Sequence, residues 1–173
     1  MLTFFTTALN NVVNSTREAW PLSTTKPGER GPDVAVSRVG TAERVRLQKA
    51  LPNTGAFQIL IFTGNLAETR TSLSALRGEL DGPSSFLATF SKTLFKFTTI
   101  IAGEGIGAEE YCGFKPFGRC YFDPCREAHE VYGIDPTRGA MLVLRPDGIV
   151  GTVLGLGEAR LLKEYFARFL VSK

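Results

Sequence analysis

Cysteine and histidine are scarce in this chain: its 173 residues include three cysteines and one histidine. A small, odd number of cysteines excludes a disulfide framework and suits a reducing compartment, so a cytosolic protein is expected. Cys112, Cys120 and Cys125 are too far apart to make a Cys-x-x-Cys pair, the unit that runs thiol–disulfide exchange. Charge of one sign is not concentrated either. The formal net charge is +3, and the 20 basic residues are scattered among 17 acidic ones. Nucleic acid and anionic membrane both call for a basic run or stripe, so neither partner is expected. No apolar stretch approaches the roughly 20 residues of a membrane span. The opening Met1-Leu2-Thr3-Phe4-Phe5 has no basic residue ahead of its apolar stretch, unlike a secretory signal.

Also missing is a Gly-x-Gly-x-x-Gly turn after a strand, the cradle of a dinucleotide pyrophosphate. Gly103-Glu104-Gly105-Ile106-Gly107 falls short of that pattern and reads as a loop. No cofactor is expected, bound flavin included. What is present is an ordinary globular composition, 43% hydrophobic and 21% charged, in a length that supports one core.

Residues 1–32 read as an N-terminal arm and linker. A short helix from Leu9 to Trp20 is followed by Pro21, Pro27 and Pro32, which interrupt regular structure. The domain proper is expected over 33–173. Val34, Val36 and Val39 give a short extended signal, and Val45-Arg46-Leu47 another. Phe57-Gln58-Ile59-Leu60-Ile61-Phe62 is nearly continuous in apolar and β-branched residues, which predicts a strand buried on both faces. Leu66, Leu73, Leu76 and Leu80 recur at helical spacing, with Asn65 or Thr69 as cap and Gly82-Pro83 as stop. A second helical piece spans about 84–94, and a strand follows over 96–102. A short extended piece at 119–122 leads to a helix from Pro124 to Tyr132. Two strands, 140–144 and 149–154, flank Arg145-Pro146-Asp147-Gly148, the turn chemistry of a hairpin. An amphipathic helix over 157–170 closes the chain. Parallel strands with crossover helices, then an antiparallel hairpin and a last helix, make a thioredoxin-like α/β fold: a mixed central sheet with helices on both faces and no Cys-x-x-Cys.

Three segments carry a family likeness: 26–33 (KPGERGPD), 55–64 (GAFQILIFTG), and the stretch from Tyr132-Gly133-Ile134-Asp135 through Arg138-Gly139-Ala140 to 144–151 (LRPDGIVG). Together they resemble the C-terminal, thioredoxin-like domain of the FAD-dependent phenol 2-monooxygenases, over about Lys26 to the C-terminus. In those hydroxylases FAD and phenol bind to large upstream domains, so the resemblance implies that this chain alone does not hydroxylate phenol. It implies subunit association instead, as a stand-alone relative.

At the place where a redox thioredoxin carries its thiol pair, this chain reads Thr63-Gly64-Asn65-Leu66. His129 and Tyr132, with Glu127 nearby, are the catalytic candidates, since an imidazole beside a carboxylate and a phenol suits acid–base work; the competing reading of His129 is an exposed or capping helix residue. Thr63, Asn65 and Arg138 are substrate-binding candidates, because a helix N-terminus, two polar side chains and a guanidinium suit a carboxylate or phenolate. The competing reading is a capped helix with a surface arginine. Tyr121 joins Tyr111, Phe114, Phe117 and Phe122 as loop cover or as one wall of an apolar pocket. Cys112, Cys120, Cys125 and His129 are irregularly spaced for zinc, and no metal site is expected. Two functions fit these residues. One is a non-catalytic association module, homodimeric or docked on a flavoprotein hydroxylase, in an aromatic-compound or polyketide pathway. The other is a small cofactor-independent isomerase, cyclase or dehydratase acting on a phenolic or polyketide intermediate.

Overall fold

The computed structural model describes residues 23–51 and 54–172. The expected helix Leu9–Trp20 and the first part of the arm lie outside the described residues. The fold grows from β3 (Phe57–Phe62), whose last five residues are all buried. It runs parallel to β4 (Phe95–Ala102) and antiparallel to β6 (Ala140–Leu144). On the far side of β4 lies β5 (Arg119–Asp123), also parallel. The flanks are antiparallel: β1 (Ala35–Arg38) with β2 (Arg44–Arg46) beyond β5, and β7 (Val150–Leu154) beyond β6. The resulting seven-stranded order is β2-β1-β5-β4-β3-β6-β7. A strand with neighbours on both edges and helices over both faces meets no water, which is why the β3 sequence shows no polar alternation.

Alternation along β3 and β6 divides the core in two. Ile59, Ile61, Met141 and Val143 face α2 (Leu66–Asp81) and α6 (Arg160–Ala167), meeting Leu73, Leu76, Leu162, Tyr165 and Phe166. Leu60, Phe62, Leu142 and Leu144 face the other way. They pack on Val34, Val36, Tyr132 and Ile134, on Leu47 of α1 (Leu47–Ala50), and on Ala128 of α5 (Glu127–Val131). Phe166 is the hub of an aromatic cluster, with ring centroids 5.2 Å from Phe57, 5.4 Å from Phe86 and 4.7 Å from Phe95.

The expected helical piece at 84–94 is two pieces: α3 (Phe86–Thr89) and a 3-10 turn at Lys92–Leu94. Ser85 caps the first, accepting from the Leu87 amide at 3.0 Å, and Phe90 then turns extended and inserts fully into the core. A helix not foreseen, α4 (Ala108–Cys112), follows the glycine-rich loop and ends on left-handed Gly113. Residues 23–31 of the expected arm lie on the domain. Gly28 N–H donates to the Val150 carbonyl, Val150 N–H to Glu29, and Gly31 N–H to Gly148, all at 2.8–2.9 Å.

Phe166 is fully buried, so Phe166→Ala is expected to cost about 3–5 kcal/mol by removing both transfer energy and packing. Urea unfolding checks this. A loss under about 1 kcal/mol would show that the cluster collapses around the gap.

Candidate functional site

The three parallel strands β3, β4 and β5 end side by side, and the candidate residues gather at those ends. Thr63 follows β3 and is fully buried. Its amide donates to the Ile100 carbonyl at 3.0 Å, and its hydroxyl accepts the Ala102 amide at 3.1 Å. Gly64 takes a left-handed φ of +63°. Asn65 then caps α2, its side-chain oxygen accepting from the Ala67 amide at 3.3 Å.

Under this turn lies a polar chain that links three elements. Asp123, at the end of β5, is 1% exposed and His129, on α5, 2%. One Asp123 oxygen, Oδ2, accepts both the His129 amide at 2.9 Å and the His129 Nδ1–H at 2.7 Å. Nε2 on the far side of the ring accepts the Gly64 N–H at 3.2 Å. Burial by itself raises the Asp123 carboxyl, but the hydrogen bonds from the His129 ring and amide and from the Ala128 amide prevail and hold it below its ordinary 3.8. Both ring nitrogens of His129 are thus engaged inside the protein.

The loop Asp135–Gly139 closes over the turn. Asn65 N–H donates to the Pro136 carbonyl at 2.6 Å. A Cβ on Gly64 would lie 2.7 Å from that same carbonyl oxygen, and one on Gly139 2.7 Å from the Phe62 oxygen. Only glycine at both positions lets the two backbones meet. The Asp135 carboxylate, accepting from the Thr137 amide at 2.8 Å and hydroxyl at 2.7 Å, shapes the loop.

The structure therefore brings Thr63, Asn65, Arg138 and His129 to one end of the sheet. Arg138 is exposed there, and Asn65 is half-buried. Tyr132 lies apart: the Phe62 ring packs against both it and His129, at 4.9 and 5.2 Å. The Tyr132 hydroxyl donates to the Pro32 carbonyl at 2.8 Å, and burial pushes its ionisation well up. Tyr132 lines a cavity of about 160 Å³ between Arg30, α1 and the Arg145–Gly148 turn, remote from Thr63. Tyr121 is buried in the core face it shares with Phe62 and Tyr132. Glu127 pairs with Arg44 at 2.9 Å. Asp123 escaped sequence reasoning, although an acid closing a strand just before the helix that bears the only histidine is a usable signal.

Burial pushes the thiols of Cys112 and Cys120 up to about 11, so both are protonated at neutral pH and poor nucleophiles. Among the described residues, no cluster of three or more His, Cys, Asp or Glu is placed to hold a metal ion, and no helix is long and apolar enough to cross a membrane. In the loop Gly103–Gly107 the Tyr111 ring fills the space that Gly103 and Gly105 leave.

Removing the buried charge tests the polar chain. Asp123→Asn is expected to lower stability by about 1.5–3 kcal/mol at pH 7, the range for a hydrogen bond to a charged group. Because the folded carboxyl titrates below 3.8, its contribution is complete above that value and lost as pH falls through the lower, folded one. The gap between wild type and variant should accordingly narrow below about pH 4. Thermal unfolding from pH 7 to 3 measures it, and a gap constant over that range would contradict the assignment.

The family model of the phenol hydroxylase C-terminal dimerisation domain matches residues 5–111 and 111–173. An FAD-dependent monooxygenase of Aspergillus terreus is 28% identical over 159 residues, covering 86% of this chain and 22% of that protein. The FAD-dependent monooxygenase terD of the same species is 26% identical over 174 residues, covering 86% and 28%. The chain thus spans between 22% and 28% of the length of these relatives. Among solved structures, a Chlorobium tepidum protein assigned as the thiol:disulfide interchange protein DsbE superposes with a TM-score of 0.60 at 16% identity, covering 84% of this chain and 98% of that one. That likeness is one of fold: the domain is thioredoxin-like. With most of its length matched, the chain belongs to the phenol hydroxylase C-terminal dimerisation domain family.

Proposed function

We propose that this chain works by association, as a homodimer or docked on a flavoprotein hydroxylase, in the metabolism of an aromatic or polyketide compound. The observation that supports this most is the closed end of the sheet. The turn that carries thiols in a redox thioredoxin holds Thr63, Gly64 and Asn65, and the Pro136 and Gly139 backbones lie directly on it. A thioredoxin-like fold with that end filled retains its surfaces for binding. The family description supports the same reading, since it names dimerisation. Flavin chemistry then belongs to the regions that the FAD-dependent relatives possess beyond the matched stretch.

The buried Asp123–His129 pair favours a second reading, cofactor-independent turnover of a phenolic or polyketide intermediate, with Arg138, Asn65 and Thr63 binding it. That reading requires Nε2 to release Gly64. Loss of turnover in Arg138→Ala without loss of folding would support it.

Light scattering on the purified chain distinguishes the two. Association predicts twice the 18.9 kDa chain mass, or a stable complex when a flavoprotein hydroxylase is added. A monomer under both conditions would count against association. The protein is also expected not to reduce insulin; reduction that a single cysteine substitution abolishes would overturn the non-redox part of the reading.

A further inference from the structure

The contact between Gly64 and His129 exists only while the imidazole is neutral. An ionised carboxylate can only accept, so Nδ1, 2.7 Å from Asp123 Oδ2, carries the ring proton. Nε2 therefore presents its lone pair to the Gly64 N–H at 3.2 Å. We propose that this contact is a proton-operated latch: protonation of His129 at Nε2 breaks its bond to Gly64 and turns the Thr63–Gly64 peptide over. One proton enters from solvent and the Nε2 lone pair forms the new N–H bond. The ring becomes an imidazolium, and Asp123 stays a carboxylate.

Once Nε2 carries hydrogen, two N–H groups point at each other in a site where His129 is 2% exposed. Two buried donors without an acceptor are costly. Turning the peptide over replaces the Gly64 amide by the Thr63 carbonyl and gives the new Nε2–H its acceptor. Glycine at 64, already at φ +63°, accepts such a change of dihedral better than any other residue. The Thr63 oxygen lies 2.9 Å from where a Cβ on Gly139 would stand, and Asn65 N–H holds Pro136. The turn thus carries the Asp135–Gly139 loop with it. Thr63 is itself anchored by Ile100 and Ala102, which confines the movement to the turn and that loop.

Few charged groups stand beside the ring. Asp123 of β5 touches it at 2.7 Å, while β3 contributes the uncharged ring of Phe62. Beside His129 in the chain, Glu127 is paired with Arg44, and Arg126 and Glu130 are exposed. In the covering loop, Thr137 takes up the Asp135 carboxylate and Arg138 is exposed. The latch goes beyond the association reading and does not depend on it.

Nitrogen-15 NMR of the full chain from pH 8 to 5 tests it. The Gly64 and Gly139 amide signals should move with the same midpoint as the His129 ring nitrogens, and protection of the Gly64 amide should fall about tenfold per pH unit below that midpoint. His129→Gln, which offers an acceptor that does not titrate, should lose the midpoint. Three results would each overturn the latch: a ring that titrates while both amides stay still, a ring that remains neutral until acid unfolding, or a midpoint retained in the glutamine variant. Should that variant not fold, the wild-type ring and amide signals decide alone.

Discussion

A single buried carboxylate sets the terms for one end of this molecule. Asp123 is 1% exposed and ionised, and a charge removed from water must be met by donors. The His129 amide and ring supply them. The backbone carbonyl of Asp123 also accepts the Gly103 and Arg126 amides, each at 3.1 Å. One residue thereby joins the end of β4, the turn into α5, and α5 itself. Through the imidazole it reaches Gly64 and so the entry to α2. Asp123 thus ties the ends of β4 and β5 to α5 and to the turn that follows β3.

Much of this architecture is legible in the sequence, and what is not legible fails for a physical reason. The bounds of β3 follow from a run that is apolar but for Gln58, and α2 from its leucine spacing and its Asn65 cap. The hairpin follows from Pro146, Asp147 and Gly148. By contrast α4 has five residues between glycines and carries no periodicity to read. The break at Phe90 arises because a core position draws that side chain inward, a tertiary demand that local propensity does not contain. Residues 28–31 dock through backbone hydrogen bonds, which are nearly blind to side-chain identity, while Ser23 and Thr25 dock by donating their hydroxyls to the Tyr132 carbonyl. At the site, chain proximity suggested Glu127 as the partner of His129, yet Glu127 faces Arg44 and the acid six residues upstream takes its place. Pairs that span a strand, a turn and a helix have no fixed period to betray them.

The loss of sulfur from the turn is accompanied by loss of space and of free donors. In a redox thioredoxin the helix N-terminus serves to stabilise a thiolate. In this chain the first turn of α2 spends its amides internally: Ala67 on the Asn65 side chain, and Glu68 and Thr69 on the Asn65 carbonyl at 2.9 and 3.0 Å. Three amides at the positive end of the helix are thus satisfied within the chain. Gly64 and Gly139 then bring two loops into backbone contact over this turn.

The same logic bears on how such a domain can associate. An open sheet recruits partners most readily through unpaired strand edges, and among the described residues both edges carry contacts of their own. On one side β2 has three residues, two of them arginines tied by ion pairs at 2.9 Å, Arg44 to Glu127 and Arg46 to Asp33. On the other, residues 28–31 hold Gly148 and Val150, at the start of β7, with three hydrogen bonds. A second chain pairing at Val150 would have to displace residues 28–31 first. An association surface on this domain is more economically placed on a helical face or a loop, where only water has to leave.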